Sequence, residues 1–167
     1  HNGTFTDIAP TAGVALGNWS TGCAFGDFDG DGWLDLFVAG YVDLDIDHLP
    51  PPATGVEAAA RAPAGETGNP TQSGGMGAAY SAGSSYCQYR GQRVMCGPRG
   101  LNGAPDHLFR NNRDGTFTDV SERAGVGDKK GYYGFGVAWL DFDDDGKLDL
   151  SVANDSTPSY LYHNRGD

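Results

Sequence analysis

Leu34, Leu36 and Val38 alternate with Asp35, Phe37 and Ala39, and far downstream Leu148, Leu150 and Val152 alternate with Asp149, Ser151 and Ala153. A period of two sends successive side chains to opposite faces, so both segments are predicted as β-strands. In the first, both faces are fairly apolar, as expected for a strand covered on two sides. Asp106 to Asn112 and Ser159 to Asn164 are predicted as one further strand in each half, with Leu108-Phe109-Arg110-Asn111 paralleling Leu161-Tyr162-His163-Asn164. Helix is scarce. Glu57 to Ala62 has the composition for a turn or two, and Ser121 to Ala124 for a single turn that Gly125 stops.

The strand pattern belongs to a unit written twice. Asn2-Gly3-Thr4-Phe5-Thr6-Asp7-Ile8 matches Asp114-Gly115-Thr116-Phe117-Thr118-Asp119-Val120, and Ala12-Gly13-Val14 matches Ala124-Gly125-Val126. Phe25-Gly26-Asp27-Phe28-Asp29 then matches Trp139-Leu140-Asp141-Phe142-Asp143. Such repetition predicts a repeat architecture of all-β class. The units are placed at 1–41 and 106–167. Between them, 42–105 reads as an insert, rich from about Pro50 to Ser85 in Pro, Gly, Ala, Ser and Thr, and predicted as a long, partly irregular surface excursion.

Each unit carries one nine-residue acidic run with aspartates at its first, third, fifth and ninth positions: Asp27, Asp29, Asp31 and Asp35, then Asp141, Asp143, Asp145 and Asp149. At an effective dielectric near 20, two like charges about 5 Å apart repel by roughly 3 kcal/mol. The arrangement makes sense around a cation. Oxygen ligands without Cys or His suit a hard ion, and calcium, which accepts six to eight flexible oxygens, is preferred over magnesium. Two calcium ions are therefore expected. The opening D-x-D-x-D-G is shared with the EF-hand, but position twelve, where that loop needs a bidentate acid, is Val38 or Val152. The ninth-position carboxylate closes the loop instead, and the backbone carbonyl of Trp33 or Lys147 fills a further position. Each run links two strands as a hairpin, with Gly32 or Gly146 supplying the turn.

These residues resemble the FG-GAP or VCBS-type calcium-binding repeats of integrin-like β-propellers, whose loops run D-x-D-x-D-G-x-x-D within a hairpin. Phe25-Gly26-Asp27 and Gly134-Phe135-Gly136 are similar to the phenylalanine-glycine element. Cys87-Gln88-Tyr89-Arg90-Gly91 and Cys96-Gly97-Pro98-Arg99-Gly100-Leu101 look like the intervening segment of the cartilage acidic protein and ASPIC-associated group. The resemblance implies propeller-like blades of short antiparallel strands. Family propellers close with about seven blades, and this chain has material for two, which leaves sheet faces and edges exposed, so it is expected to be either a segment of a longer protein or a chain that covers its open side with the insert, with a partner, or with both.

Composition narrows the function. Eleven Lys and Arg against 22 Asp and Glu give a net charge of −11, which opposes binding to nucleic acid or an anionic membrane surface. No apolar run approaches the roughly 18 residues of a transmembrane helix. Cys87 and Cys96 fit either a short disulfide-closed loop in an oxidising compartment or a pair of reduced structural thiols. Cys23, within Cys23-Ala24-Phe25, is expected as a buried free thiol. Asp43-Leu44-Asp45-Ile46-Asp47-His48 alternates as a solvated strand face, with a further metal site as the alternative. Arg165-Gly166-Asp167 is read as a turn. Asn2, Asn18 and Asn154 fit the glycosylation pattern, which turn composition also produces.

Neither a nucleophile elbow, a phosphate-binding loop nor a zinc motif is present. The expectation is a non-catalytic, calcium-stabilised, extracytoplasmic module for protein–protein interaction or for stabilising a larger assembly. The alternative is an enzyme or enzyme subunit with a site built in the 42–105 insert.

Overall fold

The computed structural model describes residues 3–44, 86–89, 92–95, 97–98 and 101–166. In chain order they form a one-turn helix α1 (Ala9–Ala12), strands β1 (Trp19–Gly26), β2 (Asp35–Val42), β3 (Tyr86–Tyr89), β4 (Gln92–Met95), β5 (His107–Asn111) and β6 (Phe117–Asp119), a second one-turn helix α2 (Ser121–Ala124), then β7 (Gly134–Leu140), β8 (Asp149–Asn154) and β9 (Tyr160–Tyr162). Every pairing is antiparallel. Sheet 1 runs β1-β2-β5-β6, sheet 2 runs β7-β8-β9, and β3-β4 is a separate hairpin. The all-β expectation holds, with open sheets of propeller-blade type.

Both aspartate runs sit at hairpin turns, between β1 and β2 and between β7 and β8. Gly32 and Gly146 adopt φ of 88° and 85°, values that a side chain would strain. The strands predicted around Leu108 and Leu161 are β5 and β9. α2 ends where expected, with Gly125 left-handed at its C-terminus. Gly166 also has positive φ, and its N–H bonds Asn164 Oδ1 at 3.0 Å, so Arg165-Gly166 lies in a turn.

The two sheets meet face to face. From sheet 1 come Phe37 and Ala39, fully buried, with Leu108, joined by Val120 at the start of α2; from sheet 2 come Leu150 and Val152. Trp139 of β7 meets Phe37 edge-on at 6.4 Å, and its indole N–H donates to the Ala24 carbonyl at 3.3 Å. The register pairs Ala24 with Phe37 and Phe25 with Leu36, so the even-numbered side chains of this part of β1 point at β7. A Cβ on Gly26 would lie 2.7 Å from the Trp139 ring; glycine there lets the indole lie against the β1 backbone. Full burial of a side chain such as Phe37 contributes about 1.5–3 kcal/mol.

The same register corrects one expectation. Cys23 is a free thiol but exposed, not buried. Its neighbours in sequence suggested a core run, yet period-two alternation turns Cys23 and Phe25 to the face of sheet 1 that lies away from sheet 2. On that face Leu36 and Val38 are half-buried. The readings at Glu57 to Ala62, Pro50 to Ser85 and Asp45 to His48, together with Cys96 and hence its pairing with Cys87, lie outside the described residues.

Candidate cation-binding loops

The two loops are held by the same set of bonds. In the first, Asp27 accepts the N–H of Asp31 at 3.0 Å and of Gly32 at 2.8 Å, and Asp31 Oδ1 accepts the N–H of Trp33 at 2.9 Å. Asp35, at the head of β2 and fully buried, accepts Phe28 N–H at 3.2 Å and, from β5, Asn111 N–H at 2.8 Å. In the second, Asp141 accepts Asp145 and Gly146 N–H at 3.1 and 2.9 Å, and Asp145 accepts Lys147 N–H at 2.9 Å. Asp149, also fully buried, accepts Phe142 N–H at 3.1 Å and, from two residues past β9, Asn164 N–H at 2.7 Å. Five backbone donors per loop orient carboxylates that would otherwise splay apart by repulsion.

One carboxylate oxygen from each of Asp27, Asp29 and Asp35 lies within 4.8 Å of the others, and the same holds for Asp141, Asp143 and Asp145. Oxygens on opposite sides of one cation with bonds of about 2.4 Å are about 4.8 Å apart, so these donors fit a single hard ion. Asp31 is held differently. Its second oxygen accepts the Arg113 guanidinium at 2.6 Å, while Arg110 bonds Asp29 at 2.6 Å. Asp143 and Asp149 group with His163, whose Nδ1 lies 3.6 and 3.2 Å from them. The Lys147 side chain folds onto Asp145.

The electrostatics follow these contacts. The Arg113 hydrogen bond holds the Asp31 carboxyl below the usual range, and Lys147 does the same for Asp145. Burial pushes the Asp35 carboxyl up against its two N–H bonds, with Asp29 and Asp31 adding to the rise. Asp149 is held down, first by the Asn164 N–H.

Five residues outside the acidic runs therefore belong to these sites: Arg110, Asn111 and Arg113 at the first, His163 and Asn164 at the second. Asn111 and Asn164 also clamp the loops through their amides, donating to the Leu34 carbonyl at 2.9 Å and the Leu148 carbonyl at 3.1 Å. The signal that could have found them was the parallel between Leu108–Asn111 and Leu161–Asn164. It was visible as a strand pattern, but which loop the strand's end would reach was not.

A depression of about 520 Å³ beside β5, β6 and α2 contains His107, Asp119 and Ser121. These are the residue types of a hydrolytic triad in the wrong order. Asp119 sits in the middle, accepting Ser121 Oγ–H at 2.5 Å and contacting His107 at 2.8 Å, and Ser121 Oγ also accepts the Leu108 N–H at 2.8 Å. A nucleophile needs the imidazole as its base; here the serine instead fixes α2 to β5. Next to it, Asp106 is 1% exposed. Its Oδ1 accepts Gly40 N–H at 2.9 Å, and Oδ2 has no hydrogen-bond partner. Burial, with Asp128 nearby, pushes this carboxyl up to about 7.

Comparison with known proteins agrees with this architecture. Over 58 residues, 35% of the chain, the sequence is 47% identical to cartilage acidic protein 1 of Homo sapiens and 45% identical to that of Mus musculus. The corresponding figure for Xenopus tropicalis is 43%. The match spans 9% of the length of these curated relatives. The sequence pattern of the FG-GAP-like repeat fits residues 1–38 and 94–152, over half of the chain and both acidic hairpins. Matched in sequence over both units and folded as paired antiparallel sheets with the loops at their hairpins, the chain belongs to the FG-GAP-like repeat family.

Proposed function

We propose that this chain is a calcium-stabilised, non-catalytic, extracytoplasmic module whose sheets serve protein–protein contact or brace a larger assembly. The observation that carries this reading is the duplicated loop scaffold. In both units a fully buried ninth-position aspartate is fixed by two N–H bonds, one from its own loop and one from the end of the third strand of its sheet or just beyond it. Asp27, Asp29, Asp31 and Asp35, with the Trp33 carbonyl, hold one ion. Asp141, Asp143, Asp145 and Asp149, with the Lys147 carbonyl, hold the other. Calcium supplies only charge neutralisation and cross-linking here; the chain's residues fix the hairpins to β5 and β9.

Among the described residues no helix is long and apolar enough to cross a membrane. The extracytoplasmic placement rests on the family and on free calcium being abundant outside the cytoplasm. The divisions at 1–41, 42–105 and 106–167 belong to this proposal as two repeat units flanking an insert.

The test is thermal unfolding of metal-stripped protein with and without calcium. An ion bound only by the folded state adds RT ln(1 + [L]/Kd), about 2.7 kcal/mol per site at a hundredfold excess over Kd. The expected result is a rise in Tm with calcium that chelator reverses. An unchanged Tm refutes the calcium reading.

A further inference from the structure

Arg110 in β5 and His163 just beyond β9 occupy equivalent places in the two units. Each precedes the asparagine whose N–H donates to the ninth aspartate, Asn111 to Asp35 at 2.8 Å and Asn164 to Asp149 at 2.7 Å, and each reaches the third aspartate of its loop. Arg110 Nε donates to Asp29 Oδ2 at 2.6 Å. His163 Nδ1 lies 3.6 Å from Asp143 Oδ2 and 3.2 Å from Asp149 Oδ1. The exchange of residue changes the chemistry. A guanidinium is always charged and has no lone pair to give a metal, whereas a neutral imidazole has one.

The donors around His163 converge. One ligand atom from each of Asp143, Asp149 and His163 lies within 4.8 Å of the others, where the first loop's group is three carboxylates, Asp27, Asp29 and Asp35. Ligands about 2.1 Å from a tetrahedral ion are about 3.4 Å from one another, and the two Nδ1 distances, 3.2 and 3.6 Å, fall on either side of that value. Phe142 meets the imidazole edge-on with ring centroids 5.5 Å apart and so sets its plane. Asp149 is fully buried and is oriented by Phe142 N–H on Oδ2 and Asn164 N–H on Oδ1. A carboxylate oxygen has two lone pairs, so Oδ1 can bind a metal as well, and outer hydrogen bonds of this kind hold metal ligands in place. Asp145, in contrast, is engaged through both oxygens, by the Lys147 N–H and by its ammonium.

We infer that His163 Nδ1 joins Asp143 and Asp149 as a zinc ligand, which makes the second loop a mixed nitrogen–oxygen site that takes zinc over calcium, while the first loop stays an oxygen site. Calcium binds oxygen, and imidazole nitrogen suits zinc. Ligation through Nδ1 uses the tautomer with its hydrogen on Nε2. The inference rests on the reading of both aspartate runs as cation loops and adds the metal that the second one selects.

The test is NMR of the histidine imidazole nitrogens in the metal-stripped, reduced 167-residue chain, held in excess calcium as zinc is added. The expected result is that one molar equivalent of zinc shifts the assigned His163 Nδ1 resonance as a direct metal–nitrogen bond does, and that calcium alone does not. Calorimetric competition between the two metals is the second measurement. His163→Gln is expected to lower zinc's advantage over calcium by at least about tenfold, the smaller end of what losing a partner at a metal site costs. A His163 nitrogen unmoved by zinc while calcium still binds both loops, or a zinc advantage equal in wild type and His163→Gln, overturns the inference and leaves the calcium reading standing. Failure of either metal to bind the loops overturns both.

Discussion

Asp106→Asn isolates the energetic consequence of one buried carboxyl. Asp106 lies between the sheets, 1% exposed, with the Gly40 N–H on one oxygen and no hydrogen-bond partner on the other. Its pKa is pushed from 3.8 to about 7, chiefly by burial and further by Asp128. In the folded state the neutral acid is favoured; in the unfolded chain the group ionises normally. The stability it leaves intact is therefore fully present below pH 3.8 and is lost as pH rises to about 7, after which the loss stays constant. At about 1.4 kcal/mol per unit, a rise of roughly three units corresponds to about 4 kcal/mol, as an order of magnitude. Asparagine keeps an acceptor for Gly40 and cannot ionise. The assay is urea unfolding of both proteins at pH 4.5 and pH 8. The double difference cancels packing effects common to both pH values, and Asp106→Asn is expected to gain several kcal/mol on wild type between the two. Parallel pH profiles for wild type and variant would refute the argument that this carboxyl is buried and unpaired.

Two further predictions concern the loops and the sheet contact. Asp35→Asn and Asp149→Asn are each expected to remove one site's share of the calcium-dependent gain, about 2.7 kcal/mol at hundredfold saturation, leaving the other loop responsive; titration calorimetry counting bound ions before and after each change checks it. Gly26→Val places a Cβ 2.7 Å from the Trp139 ring and is expected to cost about 1–3 kcal/mol, with loss of the bond from Trp139 to the Ala24 carbonyl, read in near-UV circular dichroism together with urea unfolding.

The physics of the loops joins the two halves of the molecule. Each acidic hairpin is tied to the third strand of its own sheet through the ninth aspartate and the Asn111 or Asn164 amide. Asn164 goes further, donating to the Phe28 carbonyl of the first loop at 2.7 Å. On the proposed reading, a cation in either loop would stiffen more than its own turn, as a brace rather than a switch, and among the described residues no helix pair flanks the loops.

The strands flanking the two acidic hairpins, the strands around Leu108 and Leu161 and the two aspartate runs were legible in the sequence because their determinants are local, whereas β3, β4 and β6 were not read from it. Alternation over six residues sets a strand, and the spacing of Asp and Gly over nine sets a turn whose geometry recurs at φ values of 88° and 85°. The doubling of the pattern showed that it was not chance composition. What only the tertiary structure decided depends on which face meets which. Alternation states that Cys23 and Ala24 point oppositely, but only the packing of β7 on β1 turns Ala24 inward and leaves Cys23 exposed. The side chains of Arg110 and His163 reach the aspartates from 81 and 14 residues away, and the unpaired oxygen of Asp106 exists because two sheets close over it. Contacts of that range are fixed by sheet stacking and register, which a short window of sequence does not encode.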